Sequence, residues 1–333
     1  MISSFFGEEI MIFSDFLSNS NTPFALFSIF LALAVVVLNG FTDAPNAIAT
    51  IVSTKTLSMT RACILCAICN FLGLIIASRL NMSVAKSVLE SASFGEKPML
   101  ATACVLLSTV AFTVFAWIIA MPSSESHALI ASIAGASLAL NDSIDFAPFL
   151  KIVLYMALSC LVSLIFSLVI SALLGKRKLP YKGLQLIFCA LLSLMHGAQD
   201  GQKLVAMLSF VLVSAPDTKG NMHMAVALVS FVMLLGSLAG GGRIVKSMGD
   251  DISRLDAKGA AASDASAAAA LLLFSAIGAP VSTSNIKACS VAGAGLAEKQ
   301  YVNFKTLAKM AYVAILTFPC CMLMSYLLVT ALS

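Results

Sequence analysis

Charge is scarce in this sequence. Asp, Glu, Lys and Arg make up 11% of its 333 residues, against roughly 25% in ordinary soluble domains. A water-facing surface cannot be built from so few, which excludes a soluble globular fold. Histidine is rarer still, with only His127, His196 and His223. None of the three stands at a paired metal-ligand spacing, so no hydrolytic metal centre is expected and the chain is read as not an enzyme. No cofactor is expected either, beyond a transported ion. The first twenty residues hold Glu8, Glu9 and Asp15 but no Lys or Arg. That argues against a cleavable signal peptide and predicts an N-terminus on the outer side.

The net charge of +4 comes from short loops, such as the one with Lys176, Arg177, Lys178 and Lys182. This is the positive-inside pattern of a membrane protein, not a nucleic-acid surface. Nine cysteines would signal a disulfide framework in a small secreted protein, but most lie in apolar runs, among them Cys104, Cys160, Cys189, Cys320 and Cys321. Cys63, Cys66 and Cys69 are spaced like iron–sulfur ligands. Their stretch, 61–77, is apolar, and they are read as packing residues.

What the chain has in abundance is apolar sequence, 60% of the total. At about 20 residues per crossing, the apolar runs 23–46, 60–78, 99–121, 123–140, 146–175, 184–215, 224–242, 261–279, 281–297 and 306–332 describe an all-α integral membrane protein. It has about ten to twelve membrane segments, including broken helices or re-entrant hairpins. Runs 123–140 and 281–297 are barely long enough to span, and they either cross or re-enter; charge parity favours a crossing.

The runs divide into a first half at 1–175, a basic cytoplasmic linker at 176–182 and a second half at 183–333. Two local matches make the halves copies of each other. Gly40-Phe41-Thr42-Asp43 pairs with Gly197-Ala198-Gln199-Asp200, and Pro122-Ser123-Ser124-Glu125-Ser126-His127 pairs with Pro280-Val281-Ser282-Thr283-Ser284-Asn285. The second match continues from Ala134-Gly135-Ala136 onto Ala292-Gly293-Ala294, so an internal duplication is the simplest account. The loops carrying Lys55 and Arg61, the linker, and the loop with Arg243, Lys246, Arg254 and Lys258 are predicted inside. The loop 217–223 is predicted outside, and the mixed loop with Arg79, Lys86 and Lys97 must then lie outside too. An outer N-terminus and an inner linker require an odd number of crossings, which inverts the second half.

Asp43 and Asp200 each fall near the middle of an apolar run, where an unpaired carboxylate costs at least about 2.5–3.5 kcal/mol. Each follows a glycine and precedes helix-breaking or polar residues, Pro45 and Asn46 in one half and Gly201, Gln202 and Lys203 in the other. A broken helix around a bound cation is predicted at both. Ser123, Ser124, Ser126, Ser282, Thr283 and Ser284 cluster where new helices start, and hydroxyls with free N–H groups at a helix start make an anion cradle. Cations placed between the aspartates and the anion reconcile the two chemistries, giving a cation-coupled anion symporter. Lys203 either adds positive charge toward the anion or pairs with Asp200.

At these residues the chain resembles the inorganic phosphate transporter (Pit) family, whose halves each carry a Gly-x-Asn-Asp-like signature and a Pro-x-Ser-Thr-Thr-His-like hairpin. The stretches 40–47 and 196–203 look like the two signatures, and the resemblance covers essentially the whole chain. It implies phosphate import with sodium or protons at the plasma (bacterial inner) membrane, and a homodimer. The cations would be held by Asp43, Asp200, Thr42, Asn46 and Gln199. Phosphate would be held by Ser123, Ser124, Ser126, Ser282, Thr283, Ser284, Gln202 and Lys203. Alternating access between the halves is the expected mechanism. Sulfate or another tetrahedral oxyanion is the alternative cargo, and a passive anion channel the alternative class. Four residues depart from the family pattern: Thr42 for Asn, Glu125 for Thr, Asn285 for His, and the added charge of Lys287. Glu125 is a candidate proton carrier, and His127 is read as a packed, hydrogen-bonded histidine.

Overall fold

The computed structural model describes residues 23–95, 97–118, 123–140, 146–175, 179–212 and 218–333. The N-terminal acids Glu8, Glu9 and Asp15, the hairpin residue Pro122, the linker residues Lys176, Arg177 and Lys178, and Asp217 lie outside the described residues. The described residues form helices and no strand. In chain order these are α1 (Pro23–Thr42), α2 (Ala44–Ser53), α3 (Met59–Leu80), α4 (Ser83–Glu90), α5 (Pro98–Ile118), α6 (Glu125–Leu140), α7 (Ala147–Leu174), α8 (Tyr181–Leu212), α9 (Thr218–Ala239), α10 (Gly242–Lys246) with a π-helical turn (Ser247–Asp251), α11 (Ala257–Ala276), α12 (Thr283–Ala297) and α13 (Phe304–Leu332).

Among the described residues, seven helical stretches are long and apolar enough to cross a membrane: Leu26–Ser53, Met59–Leu80, Pro98–Ile118, Ala147–Leu174, Met222–Ala239, Ala257–Ala276 and Phe304–Leu332. The three remaining apolar runs fall on α6, α8 and α12. α8 has the length, at 32 residues, but its middle carries the polar run His196 to Lys203. α6 and α12 have 16 and 15 residues, so they extend only about 24 and 22 Å at 1.5 Å per residue, short of a hydrocarbon core of about 30 Å.

The helix faces are inside out relative to a water-soluble bundle. On α7, Leu150, Leu154, Leu158, Leu161, Ile165 and Val169 are exposed, whereas Ser159, Ser163, Ser167 and Ser171 are buried. The buried stripe repeats every four residues, the helical period. Its hydroxyls dock the neighbouring helix: Ser163 donates to Ile286 O at 2.8 Å and Ser167 to Ser290 O at 2.6 Å. Small hydroxyl residues suit such contacts because lipid gives apolar side chains no reason to turn inward.

Packing is reciprocal between the two halves of the chain. α6 packs on α13 while α12 packs on α7, and α3 packs on α8 while α9 packs on α1. Glycines permit the closest of these approaches. A Cβ on Gly135 would stand 2.1 Å from Met322 O, and one on Gly197 2.1 Å from Asn70 O. Backbone cannot yield to a methyl group as a flexible side chain can. Gly197→Ala is therefore expected to force α3 and α8 apart at a cost of about 1–3 kcal/mol, read as a lowered thermal unfolding temperature of the purified protein. An unchanged temperature would contradict that contact.

A first group of element ends is tied together: Thr54 and Thr56 both donate to Gln185 Oε1 (3.0 and 2.8 Å), Ser53 donates to Gly249 O (3.1 Å), and Asn303 N donates to Ile252 O (2.8 Å). Away from it, Lys97 Nζ donates to Ser333 O (2.9 Å), while Ser83 Oγ donates to Ser275 O (3.2 Å) beside the α11–α12 turn. α11 and α12 form a helical hairpin whose arms leave from and return to the first group, where Lys258 Nζ stands 3.3 Å from Glu298.

The two aspartate segments differ. The chain breaks at Asp43, between α1 and α2, where Pro45 lacks the N–H that would continue the helical ladder. At Asp200 the predicted break does not occur, and α8 runs unbroken through the polar stretch. Gly201 weakens a helix but keeps its donor, and its neighbours are good helix formers.

Candidate cation and anion pocket

The break at Asp43 and the middle of α8 face each other, and both carboxylates are buried, at 3% and 1% exposure. Asn39 lies between them: its Nδ2 is 3.5 Å from Asp43 Oδ2 and 3.3 Å from Asp200 Oδ2. One turn of helix sets this bridge, because Asn39 precedes Asp43 by four residues. His196 stands in the corresponding place before Asp200, with Nε2 3.2 Å from Oδ2. Asn70 holds the other side of the imidazole, Oδ1 lying 3.2 Å from Nδ1. Asn70 donates its own amide to Ser237 at 3.0 Å.

The starts of α6 and α12 complete the pocket. Ser124 and Ser282 hydroxyls meet at 2.8 Å. Ser284 donates to Asp43 Oδ1 at 2.8 Å and Thr283 to Asp200 Oδ2 at 3.0 Å. The residue three after each aspartate reaches across to the other half's helix start. Asn46 donates to Ser284 at 2.9 Å, while Lys203 donates to Ser126 at 2.5 Å and to Val281 O at 2.7 Å. Lys203 also forms a short ion pair with Asp200. A fully buried pair of this kind is held by its hydrogen bonds as much as by Coulomb attraction. Ser123 stands half-buried in the coil before α6.

Several buried acceptors here make no hydrogen bond of normal geometry: Asn39 Oδ1, Asn46 Oδ1 and both carboxyl oxygens of Glu125. Glu125 lies within electrostatic reach of Asp43, Asp200 and Lys203, with Asn39 beside it as a donor. Buried acceptors are seldom left unmet. Carboxylates together with amide oxygens that lack donors are the kind of ligand set that a hard cation takes. The cluster thus combines oxygen ligands, one buried ammonium and a row of hydroxyls.

Three of the sequence-predicted residues point elsewhere. Thr42 donates back to Leu38 O at 2.8 Å within its own helix. Gln199 donates to Ala279 O at 2.8 Å and accepts from Ser275, tying α8 to the α11–α12 turn. Gln202 Oε1 accepts from Val84 N at 3.1 Å and Ala85 N at 3.4 Å, capping α4. A polar residue at membrane depth can satisfy stray backbone groups as well as a ligand, and sequence alone does not separate these uses. Conversely, Asn39 and His196 belong to the pocket. Their signal was a polar residue four positions before each aspartate.

The phosphate transporter family model matches residues 39–180 and again 174–325. A probable low-affinity inorganic phosphate transporter of Bacillus subtilis (strain 168) is 29% identical over 308 residues, covering 86% of this chain and 91% of the relative. One of Rhizobium meliloti (strain 1021) is 29% identical over 326 residues, covering 92% of this chain and 95% of the relative. A solved structure described as the sodium-dependent phosphate transporter superimposes with a TM-score of 0.81, covering 93% of this chain and 99% of its own, at 19% identity. That likeness shows a shared fold. With both signatures and both helix starts inside the matched residues, the chain belongs to the phosphate transporter family and is a multi-pass membrane protein.

Proposed function

We propose that this protein imports inorganic phosphate together with sodium or protons, by alternating access of one central pocket between two inverted halves, 1–175 and 183–333. The observation that carries the reading is Asn39, whose single amide touches both buried aspartates. The pocket therefore sits between one signature from each half. Reciprocal packing of the helices and the doubled family match support inversion of one copy against the other. The start of α8 and the loop at Lys55 share an end, through the Gln185 contacts. With the basic residues of both segments this favours an inner placement there, and in this reading the N-terminus stays outside and the membrane is a bacterial inner membrane. A homodimer is carried over from the family resemblance.

In this reading Asp43, with the unmet oxygens of Asn39 and Asn46, holds the coupling cation. Asp200 orients Lys203. Phosphate enters among Ser123, Ser124, Ser126, Ser282, Thr283 and Ser284, taking over hydroxyls that now donate to the aspartates. The test is counterflow in proteoliposomes with labelled phosphate, with unlabelled sulfate as competitor, and with sodium or proton gradients imposed in turn. Phosphate exchange driven by a cation gradient and resistant to sulfate supports the proposal. Flux that ignores both gradients would indicate a passive channel, and equal competition by sulfate a general oxyanion permease.

Glu125 is proposed as the proton carrier, supported by its burial at 4% exposure beside Asp43 and Asp200, with Asn39 its one side-chain hydrogen-bond donor. An inward proton gradient is then expected to drive phosphate accumulation in the wild type and to drive little or none in Glu125→Gln, with sodium-driven uptake as the comparison. Equal proton-driven accumulation by both proteins would remove Glu125 from this role.

A further inference from the structure

A second buried ion pair lies apart from the central pocket. Lys287, on α12, is 1% exposed, and Asp264, on α11, is fully buried. The Lys287 ammonium forms a short ion pair with Asp264 Oδ1. It also donates to Thr50 Oγ1 at 3.1 Å and Ser263 Oγ at 3.3 Å. Three donors thus meet three oxygens, the full capacity of an ammonium. Thr50 separately donates to Asp264 Oδ1 at 2.7 Å, whereas Asp264 Oδ2 is buried with no hydrogen-bond partner.

The position of this cluster is what gives it meaning. α2 and α12 touch first through Asn46 and Ser284. They touch again through Thr50 and Lys287, four and three residues further along, which is one helical turn on both. At each level side chains of the two helices meet over a buried carboxylate, which at the second level is supplied by α11. The groups at the first level are Asp43, Asn46 and Ser284; at the second they are Asp264, Thr50 and the neighbouring Ser263. The chemical difference between the levels is that the second contains a covalently attached cation.

We propose that Lys287 is a tethered cation occupying a second cation site formed by Asp264, Thr50 and Ser263, and that this site takes a free alkali cation such as sodium once the lysine is removed. The tether fixes one positive charge there throughout transport, so that mobile cations bind only at the Asp43 level. This consequence for transport rests on the cation reading of Asp43; the site itself does not. Without the ammonium, Asp264 keeps a single hydrogen bond and a buried, uncompensated charge. Sodium binding only to the folded state would then stabilise the variant by mass action.

The experiment measures thermal unfolding of the purified full-length protein in sodium chloride and in choline chloride at equal ionic strength. Asp43→Asn serves as the background, so that the central pocket contributes little. Adding Lys287→Ala is expected to create a rise in unfolding temperature that grows with sodium concentration. Adding Asp264→Asn as a third change is expected to remove that rise. If Lys287→Ala is as stable in choline as in sodium, or gains no more from sodium than Asp43→Asn alone, the pair is structural glue and the proposal is overturned. Failure to obtain the Lys287→Ala protein even in sodium chloride overturns it as well, because a site that takes sodium restores the lost charge. Failure of the central-pocket reading would show separately, as a wild-type sodium effect that Asp43→Asn leaves intact.

Discussion

Asp43→Asn is expected to reduce cation-driven phosphate uptake to the level of empty liposomes, while the protein still inserts and folds. Of the two signature aspartates it is the one with no cationic side chain bonded to it, since its partners are Asn39, Asn46 and Ser284. A unit charge at about 4 Å, with an effective dielectric near 20, is worth about 4 kcal/mol, roughly a thousandfold in cation affinity. Asparagine is nearly isosteric and can accept from Ser284, so packing is retained. Asp200→Asn is expected to abolish uptake too, by a different route, because it frees Lys203 from its partner. Uptake assays in proteoliposomes, with unfolding temperatures measured alongside, separate lost coupling from lost fold. Normal uptake by both variants would remove the mechanism.

Lys203→Met should damage both stability and transport. The ammonium satisfies Asp200, Ser126 and Val281 O together, and it joins α8 to the starts of both α6 and α12. Removing one member of a buried pair costs about 3–5 kcal/mol, because the other charge is stranded. The value is expected near the low end, since Asn39 and Thr283 still donate to Asp200. The double variant Lys203→Met/Asp200→Asn should recover most of the stability and none of the uptake. Recovery of uptake in the double variant would show that the pair serves only as a structural clamp. A single variant as stable as the wild type would deny the burial on which the argument depends.

Much of this molecule could be read along the chain because membrane folding imposes simple rules. Within the described residues each of the ten apolar runs is helical over most of its length, the first with its break at Asp43, since a long apolar segment in lipid must satisfy its backbone internally. Both aspartates were conspicuous because buried charge is rare and costly in such a setting. The matched stretches at 40–43 and 197–200 each fall within one of the two matches of the family model. Partners were another matter. Asn39 and Thr42 are both polar, are three residues apart and flank the same signature, yet one bridges two carboxylates and the other bonds its own helix. Gln202 stands beside Lys203 but projects to the start of α4. The break at Asp43 was legible from Pro45. Continuity of α8 at Asp200 was not, because a glycine permits a break without requiring one.

Residue type and period therefore specify helices, buried faces and the need for a counter-charge, all of which depend on a residue and its near neighbours along the chain. Which carboxylate meets which amide, hydroxyl or ammonium depends on how distant helices cross, and a rotation of one residue about a helix axis redirects a side chain by about 100°. The contacts Asn46–Ser284, Lys203–Ser126 and Lys287–Asp264 arise from those crossings and came into view with the packed bundle.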